Sequence, residues 1–594
     1  MRLLACLAKV LPYVEVWRGI VTKPLSKRWE VAPRAPDGHF SRFSELPPLI
    51  VQILYNRGFT ETQEVKDFLD HRWVHDDPFR LKGMAEAVDR LARAVRRKDP
   101  IAVYGDYDAD GVTATALMVQ LLTSLGANVR AYIPNRFDEG YGLNNDALTD
   151  LAADGVKLVV TVDCGIRSVS EVAYGNSLGL DIIITDHHTV GETVPPALAA
   201  INPKQPDCLY SFNELAGVGL AFKVAQALLR SNIPELNRTE LSDNDLLDLV
   251  ALGTVADLAP LYGENRKLVE GGLQRLNTQP LRPGLAALRD IIGLKTAISA
   301  GTIGFTIGPR LNAAGRLDSA RAAYRLLMAT NELEAVHLAA QLDLQNRERQ
   351  NLTLKTVDTA RRMVLADDGQ RPLYFLSDPE FNPGIVGLAA SRITDEFYRP
   401  TLIAERGADK TKGSARSIPE FHITEALDQC ADLLLRYGGH AAAAGFTVKN
   451  EDLPALQARL LQIAAQKLDV RELRPTILID GEVNLRGVRP SLVESINALQ
   501  PFGYGNTAPC FLTRNLQIKY LKAVGQEQQH VRLVLHDGRQ VWPAIAFRQG
   551  HWATKLSPSQ EIDVVHQLEF NDWNNRREMQ LNIKDLRPSE RQLT

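Results

Sequence analysis

The stretch Ile101-Ala102-Val103-Tyr104-Gly105-Asp106-Tyr107-Asp108-Ala109-Asp110-Gly111 decides the fold. An apolar run too short for a helix ends in a glycine and three acids spaced two apart, and from Thr113 to Leu125 the pattern becomes helical. Val129 to Ile133, Leu158 to Val162 and Ile182 to Ile184 read as further strands, with helices over Asn145 to Ala153 and Val169 to Leu178 between them. Strands alternating with helices form a parallel α/β sheet. Where the chain beyond Tyr104 is extended, alternate side chains face one way, so Asp106, Asp108 and Asp110 point at one spot.

Two later strands end in Val162-Asp163-Cys164-Gly165 and Thr185-Asp186-His187-His188. Ligands of parallel α/β sheets bind beyond the carboxyl ends of the strands, which is where all these residues fall. Asp257 closes a helix predicted from Leu241 to Leu258, where an acid opposes the helix dipole. Singly, each has a structural explanation: Asp110 and Asp163 suit helix caps, Asp186 a turn, and His187 and His188 a surface or a satisfied core. Together they make a cluster of like charges that needs cations. Carboxylates with one or two imidazoles and no thiolate in position suit Mn²⁺ or Mg²⁺ better than Zn²⁺. Cys164 points elsewhere if Asp163 faces the site.

The chain has 594 residues, enough for about three or four domains. At 45% hydrophobic and 23% charged it has a globular composition, and its net charge of −3 means that a nucleic-acid partner must be held by a local basic groove. The five cysteines are scattered and form no Cys-x-x-Cys pair, which argues against a disulfide framework and a zinc knuckle and fits a reducing cytoplasm. Leu3 to Val16 is apolar except at Lys9 and lacks a convincing cleavage site, so it reads as an extension over a signal peptide. No other stretch is long and apolar enough to span a membrane.

The expected division is an extension (1–45), a parallel-sheet catalytic domain (46–330), a connector helix (331–368) free of Gly and Pro, a smaller α/β domain (369–470) and a β-barrel (471–594). The segment Gly301 to Gly315 reads as Gly-rich.

In this order Asp108-x-Asp110, Asp163, Asp186-His187-His188 and Asp257 resemble the four motifs of the DHH phosphoesterases. The resemblance implies two ions, Mn²⁺ or Mg²⁺: one on Asp106, Asp108 and Asp163, the other on Asp110, Asp163, His187 and Asp257, with Asp163 shared. A bridging water would become hydroxide and attack phosphorus in line. Tyr104 stands where the family's pyrophosphatase branch has a histidine, and Asp106 is the expected substitute. His188 is expected to contact the scissile phosphate or donate a proton, and Asp186 to orient a histidine.

Further along, Gly308 to Arg316 and Leu342 to Gln350 resemble the single-strand exonuclease branch of that family. Gly413-Ser414-Ala415-Arg416-Ser417 is similar to its Gly-Ser-Gly-Arg-Ser loop, departing at Ala415, and Phe381-Asn382 stands where Trp-His is often found. Gly438-Gly439-His440 resembles the signature of the DHH-associated domain, or reads equally as a tight turn before an alanine-rich helix. Pro501 to Asn506 and Asn571 to Arg577 resemble an OB-fold module, in which Trp542, Phe547 and Trp573 would stack on bases beside Arg548, Arg576 and Arg577; core packing accounts equally for Trp542 and Phe547.

The branch resemblance implies substrate contacts at Arg136, Arg310, Asn312, Arg316, Ser414, Arg416, His440 and Trp573. Metal core, clamp and barrel together imply a channel too narrow for a duplex, hence degradation of single-stranded DNA from the 5′ end to mononucleotides in recombination and repair. A cytoplasmic monomer is expected, with no membrane and with a helicase and a single-strand-binding protein as possible partners. Two other readings remain open: a DHH phosphodiesterase of short oligonucleotides or cyclic dinucleotides, and a non-catalytic single-strand-binding scaffold.

Overall fold

Helices α1 (Pro48–Asn56) and α2 (Thr62–Leu69) lead to a sheet of β1 (Pro100–Tyr104), β2 (Asn128–Tyr132), β3 (Leu158–Val162), β4 (Asp181–Thr185) and β5 (Ala199–Ile201). A computed structural model describes residues 25–589 except 71–75, 136–138, 140–141, 232, 235, 237–238, 318, 368–370, 471 and 574–575. The described residues form two compact units, 31–352 with 478–589, and 353–477 with 25–30.

The sheet order is β2-β1-β3-β4-β5 with every neighbouring pair parallel. All five residues of β3 are buried, which is why its sequence is a continuous apolar run without alternation. Separate apolar clusters cover the two faces, one containing Val103, Leu117 and Val160, the other Ala102, Leu148 and Val159. The winding reverses between β1 and β3, so the crevice that receives ligands lies at the carboxyl ends of those two strands. The first helix, α3 (Ala109–Ser124), starts at Ala109 and not at the expected Thr113.

Beyond the sheet come α4 (Gly217–Arg230), α5 (Leu247–Ala256), α6 (Gly263–Thr278) and α7 (Gly308–Leu317). The helix expected from Leu241 is divided: a 3₁₀ turn over Asp243–Leu246 precedes α5. The Gly-rich segment 301–315 is helical, passing through a π turn at Ile303–Ile307 into α7. Gly315 serves close approach: a Cβ there would sit 2.4 Å from the Tyr107 carbonyl.

The connector is a 35-residue helix, α8 (Glu332–Ala366). Ala335, Leu338 and Leu342 belong to the catalytic core, whereas Val357, Ala360 and Val364 pack with Ile393 and Ile403 of the other unit. That unit contains β6 (Tyr374–Asp378), α9 (Val386–Phe397), β7 (Thr401–Arg406), β8 (Lys410–Arg416), β9 (Leu434–His440) and β10 (Ala443–Lys449), in the sheet order β9-β10-β8-β7-β6. The Gly438-Gly439-His440 run is therefore half of a hairpin, and no alanine-rich helix follows it. Gly439 pairs with Ala444 at φ +152°, where a Cβ would meet the Ala443 carbonyl at 2.2 Å.

Strands β11 (Phe511–Val524), β12 (His530–His536), β13 (Val541–Ala546), β14 (Glu561–Trp573) and β15 (Arg576–Pro588) close into a barrel, because β14 pairs with both β15 and β11. Ile50, Ile53, Leu54 and Phe68 of α1 and α2 pack into the same core as the barrel interior. The segment expected to begin the catalytic domain thus shares its core with the barrel. Among the described residues no helix is long and apolar enough to cross a membrane.

Candidate metal centre

Beyond Tyr104 the chain turns into α3, so strand alternation does not aim the three acids at one spot: Asp106 and Asp108 fall in one ligand group and Asp110 in another. Asp108 is the N-cap of α3, its Oδ1 accepting from the N–H groups of Asp110 (2.9 Å) and Gly111 (3.1 Å). Asp110, in the first turn, is buried and accepts from Gly217 N–H (2.7 Å) and Val218 N–H (2.8 Å), the opening residues of α4. Two helix N-termini therefore face these carboxylates and favour their charge.

Asp163 follows β3 with φ 63°, a backbone conformation costly for a residue with a Cβ. Its buried Oδ1 lies 3.1 Å from His187 Nε2 but makes no hydrogen bond among the described residues. His187 Nε2 is 3.7 Å from Oδ2 of Asp257, the C-cap of α5. Potential ligand atoms lie within 4.8 Å of one another in three groups: Asp106, Asp108 and Asp163; Asp110, His187 and Asp257; and Asp163, His187 and His188. Cys164 is buried and turned away, its Sγ 3.8 Å from the Tyr104 carbonyl.

Asp186 does not join these groups. Its Oδ1 accepts from the His188 backbone N–H (3.1 Å) and pairs with His188 Nδ1 (2.7 Å), while its Oδ2 accepts from Ile166 N–H (2.9 Å). Asn202 and Lys204, just beyond β5, donate to the carbonyls of His188 (2.9 Å) and His187 (2.8 Å) and so hold the Asp186-His187-His188 turn from behind.

Burial and the neighbouring Asp108 push the Asp110 carboxyl up to about 7, against the pull of its two backbone bonds. Burial and the surrounding acids raise Asp163 and Asp257 well above the carboxylate range. Asp186 behaves oppositely: burial would raise it, but the His188 bond and charge hold it low. Burial lowers the His188 imidazole, and the Asp186 bond and charge outweigh that and raise it. Acids that destabilise one another's charge, with a buried Asp163 oxygen lacking a hydrogen-bond donor, form a donor set that fits two hard divalent cations.

The expected substrate contacts are spread more widely. Asn312 Oδ1 accepts from Ala109 N–H at 2.7 Å, securing the start of α3. Arg310 is held by Asp343 (2.9 Å) and the Thr306 carbonyl (2.7 Å). Asn312 thus buttresses the site, and Arg310 is tied to the connector helix and to its own preceding turn. Arg316 lies in the last turn of α7. Ser414 and Arg416 on β8 and His440 on β9 share the sheet of the other compact unit. Arg136 lies outside the described residues, and Trp573 is in β14 with its side chain outside them. Trp542 is a core residue of the barrel, Phe547 is exposed, and the Arg577 guanidinium lies 3.9 Å from the Phe570 ring centre.

Sequence reasoning missed Gly217 and Gly253. A Cβ on Gly217 would sit 2.6 Å from Asp163 Cβ, and one on Gly253 would sit 2.7 Å from Asp110 Oδ1. Only their spatial neighbours give these glycines meaning; Asn202 and Lys204 did carry a signal, an Asn-Pro-Lys immediately after a strand.

Three family models match in succession: the DHH family N-terminal domain over residues 100–254, the DHHA1 domain over 370–466 and the RecJ OB domain over 479–585. The single-stranded-DNA-specific exonuclease RecJ of Bacillus subtilis is 40% identical over 576 residues, covering 95% of this chain and 71% of the relative. That of Dickeya dadantii is 34% identical over 576 residues, covering 93% and 98%. The crystal structure of RecJ in complex with Mn²⁺ from Thermus thermophilus superposes with a TM-score of 0.81 at 34% identity, over 95% of this chain and 80% of that one. Matched along more than nine-tenths of its length by such relatives, and carrying the three domain types in succession, this chain belongs to the RecJ family.

Proposed function

We propose that the chain is a two-metal-ion phosphodiesterase that degrades single-stranded DNA from its 5′ end to mononucleotides. Mn²⁺ or Mg²⁺ would be held by Asp106, Asp108 and Asp163 on one side and by Asp110, Asp163, His187 and Asp257 on the other. The observation that carries the reading is the gathering of Asp106, Asp108 and Asp163 beside Asp110, His187 and Asp257 at the sheet's switch point, with Asp163 Oδ1 3.1 Å from His187 Nε2. Its support is membership of a family whose Bacillus subtilis member is named for single-stranded-DNA-specific exonuclease action and whose Thermus thermophilus structure contains Mn²⁺. When bound, two such ions supply Lewis acidity and a hydroxide near neutral pH.

The chain's own groups supply the rest. Asp186 fixes the His188 ring through Nδ1, which makes Nε2 the atom that would donate a proton to the leaving oxygen or bond the scissile phosphate. The α3 and α4 N-termini orient Asp108 and Asp110, and the arrangement carries its charge only with cations present. Arg136, Arg310, Asn312, Arg316, Ser414, Arg416, His440 and Trp573 are the proposed contacts along the strand, with Arg416 suited to a terminal phosphate through its fork of donors. A cytoplasmic monomer that works with a helicase and a single-strand-binding protein completes the reading.

The deciding experiment is a time course on 5′-labelled and 3′-labelled single strands with Mn²⁺ or Mg²⁺. Mononucleotides should leave the 5′ end, more slowly at higher salt, and Asp163→Ala should abolish cleavage. Cleavage from the 3′ end, or of dinucleotides alone, overturns the proposal.

A further inference from the structure

The turn Pro501-Phe502-Gly503-Tyr504-Gly505-Asn506, grouped by sequence with the nucleic-acid-binding module, faces the catalytic domain. The Tyr504 carbonyl accepts from Leu261 N–H at 2.7 Å, while most of the Tyr504 side chain is exposed. The approach is close: a Cβ on Gly503 would lie 2.6 Å from Leu261 Cδ1, and one on Gly505, at φ +72°, would lie 2.8 Å from Pro260 Cβ. Asn506 is buried and ties the turn together by donating to the carbonyls of Leu499 (3.0 Å) and Pro501 (2.8 Å). Arg266 of α6, also buried, donates to the Gln500 carbonyl at 2.8 Å.

The segment gripped in this way leads straight to the metal centre. Asp257 is followed by Leu258 at φ 60°, a strained conformation that must be held from outside, and then by Pro260 and Leu261. Asn265 donates to the Pro260 carbonyl at 3.2 Å and also to the Glu214 carbonyl. Its neighbour Glu264 accepts from Tyr210 O–H at 2.7 Å. Tyr210 and Glu214 bracket the loop entering α4, whose first two N–H groups hold Asp110. One grip therefore serves two members of the Asp110, His187 and Asp257 group, through the strap after Asp257 and the loop before Gly217.

We infer that the 501–506 turn positions this metal subsite rather than binding nucleic acid, with Gly505 and Asn265 as positioning residues. The inference rests on the two-ion reading above. Asp106, Asp108 and Asp163 are carried by β1, α3 and β3, and among the described residues the backbone hydrogen bond leaving the turn goes to Leu261, so the two subsites should respond differently.

The test is Mn²⁺ binding by the full chain without DNA, followed by loss of the free-ion electron paramagnetic resonance signal, with melting temperature alongside. Wild type should take two ions. Gly505→Ala and Asn265→Ala should each weaken one site about 10- to 100-fold, the usual cost of losing support around a metal ligand, and leave the other unchanged. Asp257→Ala should remove that same site. Tyr504→Ala should alter neither Mn²⁺ binding nor single-strand affinity in EDTA. The inference is overturned if both sites stay as in wild type, if both weaken in step with melting temperature, or if the variants lose single-strand affinity in EDTA with Mn²⁺ binding intact. A wild type that binds fewer than two ions would instead refute the two-ion reading. Should Gly505→Ala fail to fold, Asn265→Ala decides.

Discussion

Asp186 Oδ1 meets both nitrogens of the His188 residue that face it, the backbone N–H at 3.1 Å and ring Nδ1 at 2.7 Å. The carboxylate thus sets the position and the tautomer of the imidazole together. It also raises the imidazole's proton affinity despite burial. Asp186→Asn should keep the shape and remove the charge. We expect kcat to fall about 10- to 100-fold. Because His188 is raised by Asp186, its loss of protonation should shift to lower pH in the variant, moving the alkaline limb of the kcat profile down. An unchanged profile would remove His188 from proton transfer.

Gly217 sits under both ligand groups. Gly217→Ala would force Asp163 or the α4 N-terminus to move, since its Cβ would lie 2.6 Å from Asp163 Cβ, an atom close to the main chain that cannot swing aside. Displacement on that scale should cost about 100-fold in kcat and weaken Mn²⁺ binding. Gly487→Ala, whose added methyl meets nothing within 4 Å, is the matched control and should leave rate and Mn²⁺ binding unchanged.

Lys223 and Glu264 form an ion pair with both side chains fully buried. Lys223 also donates to Gln226 Oε1 at 2.9 Å, and Glu264 accepts from Tyr210 O–H at 2.7 Å. Lys223→Met should cost about 3 to 5 kcal/mol by leaving the carboxylate uncompensated. The double variant Lys223→Met, Glu264→Gln should recover most of that in urea denaturation. Equal destabilisation of the single and double variants would show that packing, not charge, is lost.

His566 is wholly buried in the barrel, with Nε2 2.8 Å from Thr513 Oγ1, and burial lowers its pKa from 6.5 to about 4. Folding thus favours the neutral ring. Between these values the unfolded chain binds the extra proton, so stability is full above pH 6.5 and declines as pH falls towards 4. The full difference is about 3 kcal/mol. Thermal melts from pH 7.5 to 4.5 should show a shallower acid decline for His566→Gln than for wild type. Parallel curves would place the acid sensitivity elsewhere.

The strands, the connector and the ligand types were legible because each depends on local chemistry. Leu158 to Val162 is apolar throughout because both faces of β3 are covered. Asn331 to Asp368 has no helix breaker, and α8 runs almost its whole length. Local reading failed where a residue's meaning comes from a distant partner. Gly301 to Gly315 shows only a Gly-rich composition, and Gly315 takes its meaning within a helix from the approach of the Tyr107 carbonyl. Ala441 to Ala444 favours a helix by propensity, but pairing of β9 with β10 overrides it. For Trp542 the sequence left stacking and core packing equally open, and burial in the barrel decides for the core.

By itself the sequence determined which side chains end which strands, and hence that acids and imidazoles gather at one edge of a parallel sheet. Strand periodicity and winding are short-range properties. Only the tertiary structure decided which of those side chains come within reach of one another: Asp106 and Asp108 with Asp163, and Asp110 with His187 and Asp257. Asp110 is aimed by N–H groups 107 and 108 positions away, in a separate helix. Asp257 is held by a strap gripped from the barrel at Leu261 and Tyr504. Contacts of that reach are set by packing of whole elements, which no local pattern encodes.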